Sequence, residues 1–257
     1  MVMSVFFISG IDTDIGKTYA TGALAQALLR QMASNQRLKS VITQKLVQTG
    51  CLGISEDIIS HRKMMDIPLQ PADHDGLTCP YVFTKPASPH LAAYLEDTFI
   101  DPAVITKATQ ALATSYDIVL LEGAGGLMVP LSQSLLTLDY VAAMGYPVIL
   151  VTSGRLGSIS HTLLSIEALS QRQIPLHAVI YNQWQPNTYL ASAYTPDNAI
   201  KQNTQIYLQR YLERHHPQTY WVNLPHITDT DSVDTSQNTS QSMAKYASEL
   251  LDALPTV

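Results

Sequence analysis

The sequence predicts a single α/β domain with a mainly parallel β-sheet and helices on both of its faces. Three observations predict it. Short aliphatic runs recur along the 257-residue chain, with helix-periodic segments between them. The runs are continuously apolar rather than alternating, as strands buried on both faces are. Polar or flexible residues follow each run, which is what lines one rim of an open parallel sheet.

Val5–Ile8 is the first strand, and Thr18–Leu29 the first helix, with Ala23, Leu24, Ala27 and Leu28 on one face. Val41–Thr43 is a second strand and leads into Lys45. Asp57 precedes the periodic run Ile58–Met65, where a helix favours an acidic residue in its first turn. His90, in Ser-Pro-His, caps or packs a following helix. Val104–Thr114, Ser158–Gln171 and Tyr207–His215 have helical patterns; Ile118–Leu121, Val148–Val151 and Val179–Tyr181 read as strands. Gln185–Asn203, with Pro186 and Pro196, reads as a loop, and polar Thr228–Ser242 as a mobile loop. Met243–Leu254 closes the chain as a helix, with Ala247, Leu250, Leu251 and Leu254 on one side. No repeat and no linker divides residues 1–257.

Composition narrows the function. Apolar residues make up 46% of the chain, enough for a sizeable core, and charged residues only 14%. Lys and Arg number 15 against 21 Asp and Glu, a formal charge of −6. That argues against nucleic acid as a partner, since phosphate backbones need a basic surface. Cys51 and Cys79 match no metal-ligand spacing and read as structural thiols, and nothing suggests an oxidising compartment. The apolar start has no basic residue before Lys17, unlike a secretory leader, and no run approaches the ~20 residues that span a bilayer. The expectation is a cytoplasmic protein with no membrane partner.

The chemistry concentrates at the strand ends. Gly10-Ile-Asp-Thr-Asp-Ile-Gly-Lys-Thr18 joins a strand to a helix, the context of a phosphate-binding loop. Backbone N–H groups and the helix N-terminus would cradle phosphates, Lys17 would reach the β- and γ-phosphates, and Thr18 would bind Mg²⁺. The loop has one residue more between its glycines than the common pattern; the plain alternative is an ordinary strand–helix turn. Glu122 ends a buried strand and precedes Gly123-Ala124-Gly125-Gly126. It reads as a metal ligand or as a strand-end group bonded to a nearby loop. Asp57 is a further Mg²⁺ or nucleotide contact, or only compensates a helix dipole. Lys45 by itself reads as surface charge. The 8 histidines show no metal-type helical spacing and read as surface residues. Arg155 contacts substrate or pairs across a subunit interface.

In order, Gly10–Thr18, Lys45-Leu-Val-Gln-Thr-Gly50, Pro80–His90, Glu122–Gly126 with Pro130-Leu131, Val148–Val151 with Leu156-Gly157, and Asn182 resemble the dethiobiotin synthetases. The lengthened phosphate loop is itself typical of that family. The resemblance implies a P-loop NTPase-like fold and a cyclo-ligase of biotin biosynthesis. Its reaction joins 7,8-diaminononanoate and CO₂ (from bicarbonate) at the expense of ATP, with Mg²⁺, to give dethiobiotin, ADP and phosphate through an N-carbamate and a carbamic–phosphoric anhydride. By the same resemblance Lys45, Lys17 and Thr13 take the catalytic positions. Thr18, Asp57 and Glu122 take those of the Mg²⁺ ligands. Nucleotide contacts fall on Asp14, Ile15, Gly16, Lys17, Thr18, Asp57, Glu122, Gly123, Ala124 and Gly125. Asn182 and Gln183 then read the base, flanked by Pro225, His226 and Ile227. Substrate contacts fall on Thr13, Thr49, Gly157, Ser158 and Ser160, the last three opening a helix that meets the substrate carboxylate across a homodimer interface. Leu46 stands where the family commonly has proline, and Asp14 where it often has glutamate.

Two other readings stay open at this point: an amide-forming ligase for another small acid, and an ATP-dependent switch that partitions a partner. Such switches usually carry a second lysine five residues before the loop lysine, where this chain has Asp12.

Overall fold

Aliphatic continuity decides the sheet. In the computed structural model, which describes residues 4–34, 40–183, 198–224 and 234–253, each predicted strand forms and extends toward the predicted rim. The order begins β1 (Ser4–Gly10), α1 (Lys17–Ser34), β2 (Val41–Lys45), β3 (Gln48–Thr49), α2 (Glu56–Met65), α3 (Pro71–His74) and β4 (Val82–Phe83). It continues α4 (Pro89–Leu95), α5 (Pro102–Ser115), β5 (Ile118–Gly126), α6 (Thr137–Met144) and β6 (Val148–Ser153). Last come α7 (Ser158–Gln171), β7 (Leu176–Asn182), α8 (Asn198–His215), β8 (Tyr220–Leu224) and α9 (Asp234–Ala253).

The main sheet runs β2-β5-β1-β6-β7-β8, and every neighbouring pair is parallel. A small parallel pair, β3-β4, stands beside it. Ile118–Leu121 and Val148–Val151 are fully buried, so these strands are covered on both faces. Alternation shows within β5: Val119 packs with Ile42, Leu112 and Ala113, while Leu120 joins the larger core on the other side. On one side α1 packs against α2 and α9; α7 packs against β6 and α8. The sheet is that of an α/β P-loop fold. Among the described residues no helix is long and apolar enough to cross a membrane.

Parallel strands put all carboxyl ends on one rim. Register fixes the neighbours there: Lys45 and Ile8 both lie opposite Glu122, Gly10 opposite Gly126 and Val151, and Ser153 opposite Asn182.

Three expectations change. β8 was not expected, because its Tyr-Trp-Val-Asn-Leu sequence is half-exposed at a sheet edge and lacks a continuous aliphatic run. α8 begins at Asn198, inside the expected loop 185–203; its buried stripe Thr204, Leu208 and Leu212 runs through a polar residue that composition discounts. α9 begins at Asp234, so residues 234–242 of the expected mobile loop are helical. The stripe Met243, Tyr246, Ala247, Leu250 and Leu251 anchors that helix, and propagation upstream adds a backbone bond per residue. The remainder of that expected loop, 228–233, lies outside the described residues.

Candidate active site

The loop between β1 and α1 is shaped by its backbone. Asp14 (φ 53°) and Gly16 (φ 89°) both take the left-handed region. Ile15 is buried beneath them as an apolar anchor. A Cβ on Gly16 would collide with Nδ2 of Asn182, and that amide donates to the Ile15 carbonyl at 2.9 Å. The Asp12 carboxylate accepts from Thr13 N–H (2.7 Å) and from Arg155 Nη2 (2.9 Å), holding the loop from below. Arg155 thus has a partner within its own chain. Lys17 Nζ donates to the Asp12 carbonyl at 3.0 Å. Burial, aided by the charge of Lys45, lowers Lys17 to about 8, against the opposing pull of Glu122, Asp57 and Asp14.

Glu122 lies at the centre of the rim. It is fully buried. Its Oε1 accepts from Lys45 Nζ (2.8 Å) and from Thr18 Oγ1 (3.2 Å); its Oε2 lies 3.0 Å from His61 Nε2. Lys45 also donates to the Gly123 carbonyl (3.2 Å) and pairs with Asp57. Burial alone would raise Glu122, but Lys45 and His61 hold it far below the usual carboxylate range. Burial alone would lower Lys45, but Glu122 and Asp57 hold it above the ordinary lysine value. Lys45 is therefore a buried, charged rim residue; the surface reading fails because strand register sets it opposite a carboxylate.

Asp57 comes from α2. Ser55 caps that helix, accepting from Ile58 N–H at 3.3 Å, and Glu56 and Asp57 occupy the first turn. One turn later on the same face stands His61, fully buried, so the surface reading of the histidines fails here. Its Nδ1 lies 3.1 Å from Thr43 Oγ1. Sequence reasoning missed His61 and Thr43; the four-residue step from Asp57 was the available signal. Cys51 and Cys79 are buried free thiols, and burial pushes Cys79 up to about 12.

A cavity of about 660 Å³ opens over these groups. Thr13, Asp14, Gly16, Lys17 and Thr18 line it from the loop. Lys45, Glu122, Ala124 and Gly125 line it from the rim, Thr49 from β3 and Asp57 from α2. Ile15 and Gly123 are buried beneath. Asn182 holds the loop from behind, while Gln183 N–H donates to the Leu224 carbonyl. Gly157, Ser158 and Ser160 do not line this cavity. They open α7, with Gly157 as N-cap and Ser160 exposed. Ser158 is turned inward, its hydroxyl 3.3 Å from that of Ser153 and its N–H on the Arg155 carbonyl. Pro225, His226 and Ile227 lie outside the described residues.

The oxygen donors Thr18, Asp57 and Glu122 suit a hard cation such as Mg²⁺. Among the described residues no three His, Cys, Asp or Glu converge on one metal site. A Mg²⁺ shared with phosphate oxygens needs only one or two carboxylates.

Solved structures share the fold. A plasmid partition protein from Borrelia burgdorferi aligns over 99% of this chain and all of its own, with TM-score 0.54 and 10% identity. The MinC:MinD cell division complex of Aquifex aeolicus gives TM-score 0.52 at 14% identity, over 99% of this chain and 98% of that one. At such identities the likeness concerns architecture alone. In sequence, a family model described as an AAA domain matches residues 4–232. The ATP-dependent dethiobiotin synthetase BioD 2 of Pasteurella multocida is 54% identical over 215 residues, 84% of this chain and 94% of that protein. Its counterpart in Haemophilus ducreyi is 50% identical over 85% of this chain and 96% of its own, and the Chlorobaculum tepidum synthetase 50% over 82% of each. With a phosphate loop facing a buried Lys–Glu rim and such identity along most of its length, the chain belongs to the ATP-dependent dethiobiotin synthetase family of ligases.

Proposed function

We propose that the chain carboxylates 7,8-diaminononanoate with CO₂ and closes the cyclic urea, consuming ATP to give dethiobiotin, ADP and phosphate. The observation that carries this is the meeting of Lys17, Lys45, Asp57 and Glu122 in one cavity at the end of the phosphate loop. The chemistry needs those groups together. One substrate amine attacks CO₂ and loses a proton, leaving a carbamate. A carbamate oxygen takes the γ-phosphoryl group, and ADP leaves. The second amine attacks the carbonyl carbon, loses a proton, and phosphate departs. Each step develops negative charge, and buried ammonium groups already in place are worth more there than in water.

Lys17, within reach of the loop's phosphate cradle, would hold the β- and γ-phosphates. Lys45 would hold the carbamate, and Thr13 and Thr49 the diamine side of the cavity. Thr18, Asp57 and Glu122 would hold Mg²⁺, which supplies charge neutralisation on the phosphates. Asn182 and Gln183 would face the base, with Pro225, His226 and Ile227 beside it. Keeping both amines at one carbonyl makes ring closure effectively unimolecular.

The substrate carboxylate would meet the α7 N-terminus of a second copy. Gly157 and Ser160 are its exposed members, and neighbouring Leu156 is 84% exposed, an apolar residue that a homodimer would cover. Incubation with ATP, Mg²⁺, labelled bicarbonate and 7,8-diaminononanoate should yield acid-stable label in dethiobiotin. ATP hydrolysis without label in a folded sample would overturn the reading.

A further inference from the structure

Glu122 is held from two sides, and the function proposed above uses only one of them. Behind it runs a buried chain of polar groups. Asp73 accepts from Arg62 Nε (2.9 Å) and Nη2 (2.8 Å), and Arg62 Nη1 donates to Thr43 Oγ1 (2.8 Å). A guanidinium has only donors, so Thr43 Oγ1 is an acceptor there and its own proton points elsewhere. The other partner of Oγ1 is His61 Nδ1 at 3.1 Å. Nδ1 is the partner within reach of that proton, and accepting it leaves the ring proton on Nε2. That nitrogen faces Glu122 Oε2 at 3.0 Å, and an ionised carboxylate only accepts. The directions agree at every link. Thr43, His61 and Glu122 are fully buried and Arg62 and Asp73 nearly so.

We propose that His61 is a positioning residue: fixed as the Nε2–H tautomer by Thr43, it pins Oε2 of Glu122 and so dedicates Oε1 to the cavity, where Lys45 and Thr18 share it. Without that bond the carboxylate can turn about its last torsion, which has broad minima, and present either oxygen. The same helix supplies both halves of the arrangement, Asp57 on its first turn facing the cavity and His61 one turn on facing Glu122. Groups that orient metal-binding carboxylates typically change metal affinity by tenfold to a hundredfold when removed.

The inference rests on the nucleotide and cation reading of the site. Mn²⁺ binding to the full chain in the presence of ADP, followed by electron paramagnetic resonance, tests it without turnover. His61→Leu should weaken Mn²⁺ by about tenfold or more, with metal-free ADP affinity within about twofold of the parent. His61→Gln, whose amide reaches the position of Nε2, should recover most of the loss. His61→Asn, which can replace only Nδ1, should not; that pair decides the matter if the leucine variant does not fold. Thr43→Val should weaken Mn²⁺ in the same direction and Thr43→Ser should not. Unchanged Mn²⁺ affinity in folded His61→Leu or His61→Asn would overturn the positioning role alone. Absence of Mn²⁺–ADP binding by the parent chain would overturn the nucleotide reading and the inference with it.

Discussion

Gly16 shows how little freedom the phosphate loop leaves a single residue. Its φ of 89° is open to glycine and strained for any other side chain, and the space where a Cβ would stand belongs to the Asn182 amide. Gly16→Ala therefore meets two penalties at once, about 1–3 kcal/mol of backbone strain and loss of the Asn182–Ile15 bond. Its melting temperature should fall, and ATP affinity should fall further than the stability loss alone explains. Wild-type ATP affinity in the variant would separate loop shape from phosphate binding. Lys45 makes a different case. Two carboxylates and a carbonyl share one ammonium group, so the charge is present before any substrate arrives. Lys45→Gln keeps a donor for Glu122 but removes the charge that the proposed reaction places beside the carbamate. It should retain ATP binding while kcat drops about 10²–10³-fold, the size of a lost transition-state donor. A variant with normal turnover would remove Lys45 from the chemistry.

At the level of elements, α2 matters most, because it carries Asp57 forward and His61 inward. It is fastened by Arg62, which reaches Asp73 within α3 and the Thr43 carbonyl on β2. Arg62→Met would leave Asp73 buried with its main charge partner gone, a change that typically costs about 3–5 kcal/mol. Urea unfolding should show that loss, and a shift under about 1 kcal/mol would mean that Gln70 N–H and Thr78 already satisfy Asp73 by themselves.

The same elements show what a sequence exposes. β1, β5 and β6 are legible because short continuous aliphatic runs between helical patterns suit strands covered on both faces. β8 is not, since an edge strand half in solvent has neither run nor clean alternation. α7 is read to the residue, because its apolar positions carry the helical period unbroken. α9 is read only from its apolar stripe onward, as the turns before it hold no periodic signal. The cavity residues of the loop and of Glu122 are legible because glycine spacing and strand-end chemistry are local. His61 is not: its partners Thr43 and Glu122 are 18 and 61 residues away, and only strand register brings them together.

On the scale of the whole molecule, the parallel sheet divides its labour between two ends. The carboxyl rim collects charge, while the opposite end of β7 closes the fold around an aromatic cage. His177 sits there with Phe6 edge-on at 5.0 Å, Tyr220 at 5.4 Å and Tyr246 at 5.8 Å, its Nδ1 2.8 Å from the Tyr246 hydroxyl. Through Tyr246 this cage fastens α9 to the sheet. Burial lowers His177 below its ordinary value of 6.5, so the folded protein resists a proton that the unfolded chain accepts. His216 is lowered too, by burial and by neighbouring His215. Wherever the unfolded state binds more protons, stability falls as pH falls, by at most about 1.4 kcal/mol per pH unit for each such group. The loss should begin as pH drops through 6.5. A second, steeper loss should set in below about 4.5, the ordinary value of Glu122. Glu122 and Asp73 are both held low in the fold, so their contribution is complete above their unfolded values and is lost as they are forced to take up protons. Melting temperatures from pH 7.5 down to 3.5 should therefore descend in two stages. His177→Gln should flatten the first stage while the second persists; a first stage of undiminished size in that variant would place the proton uptake outside the cage.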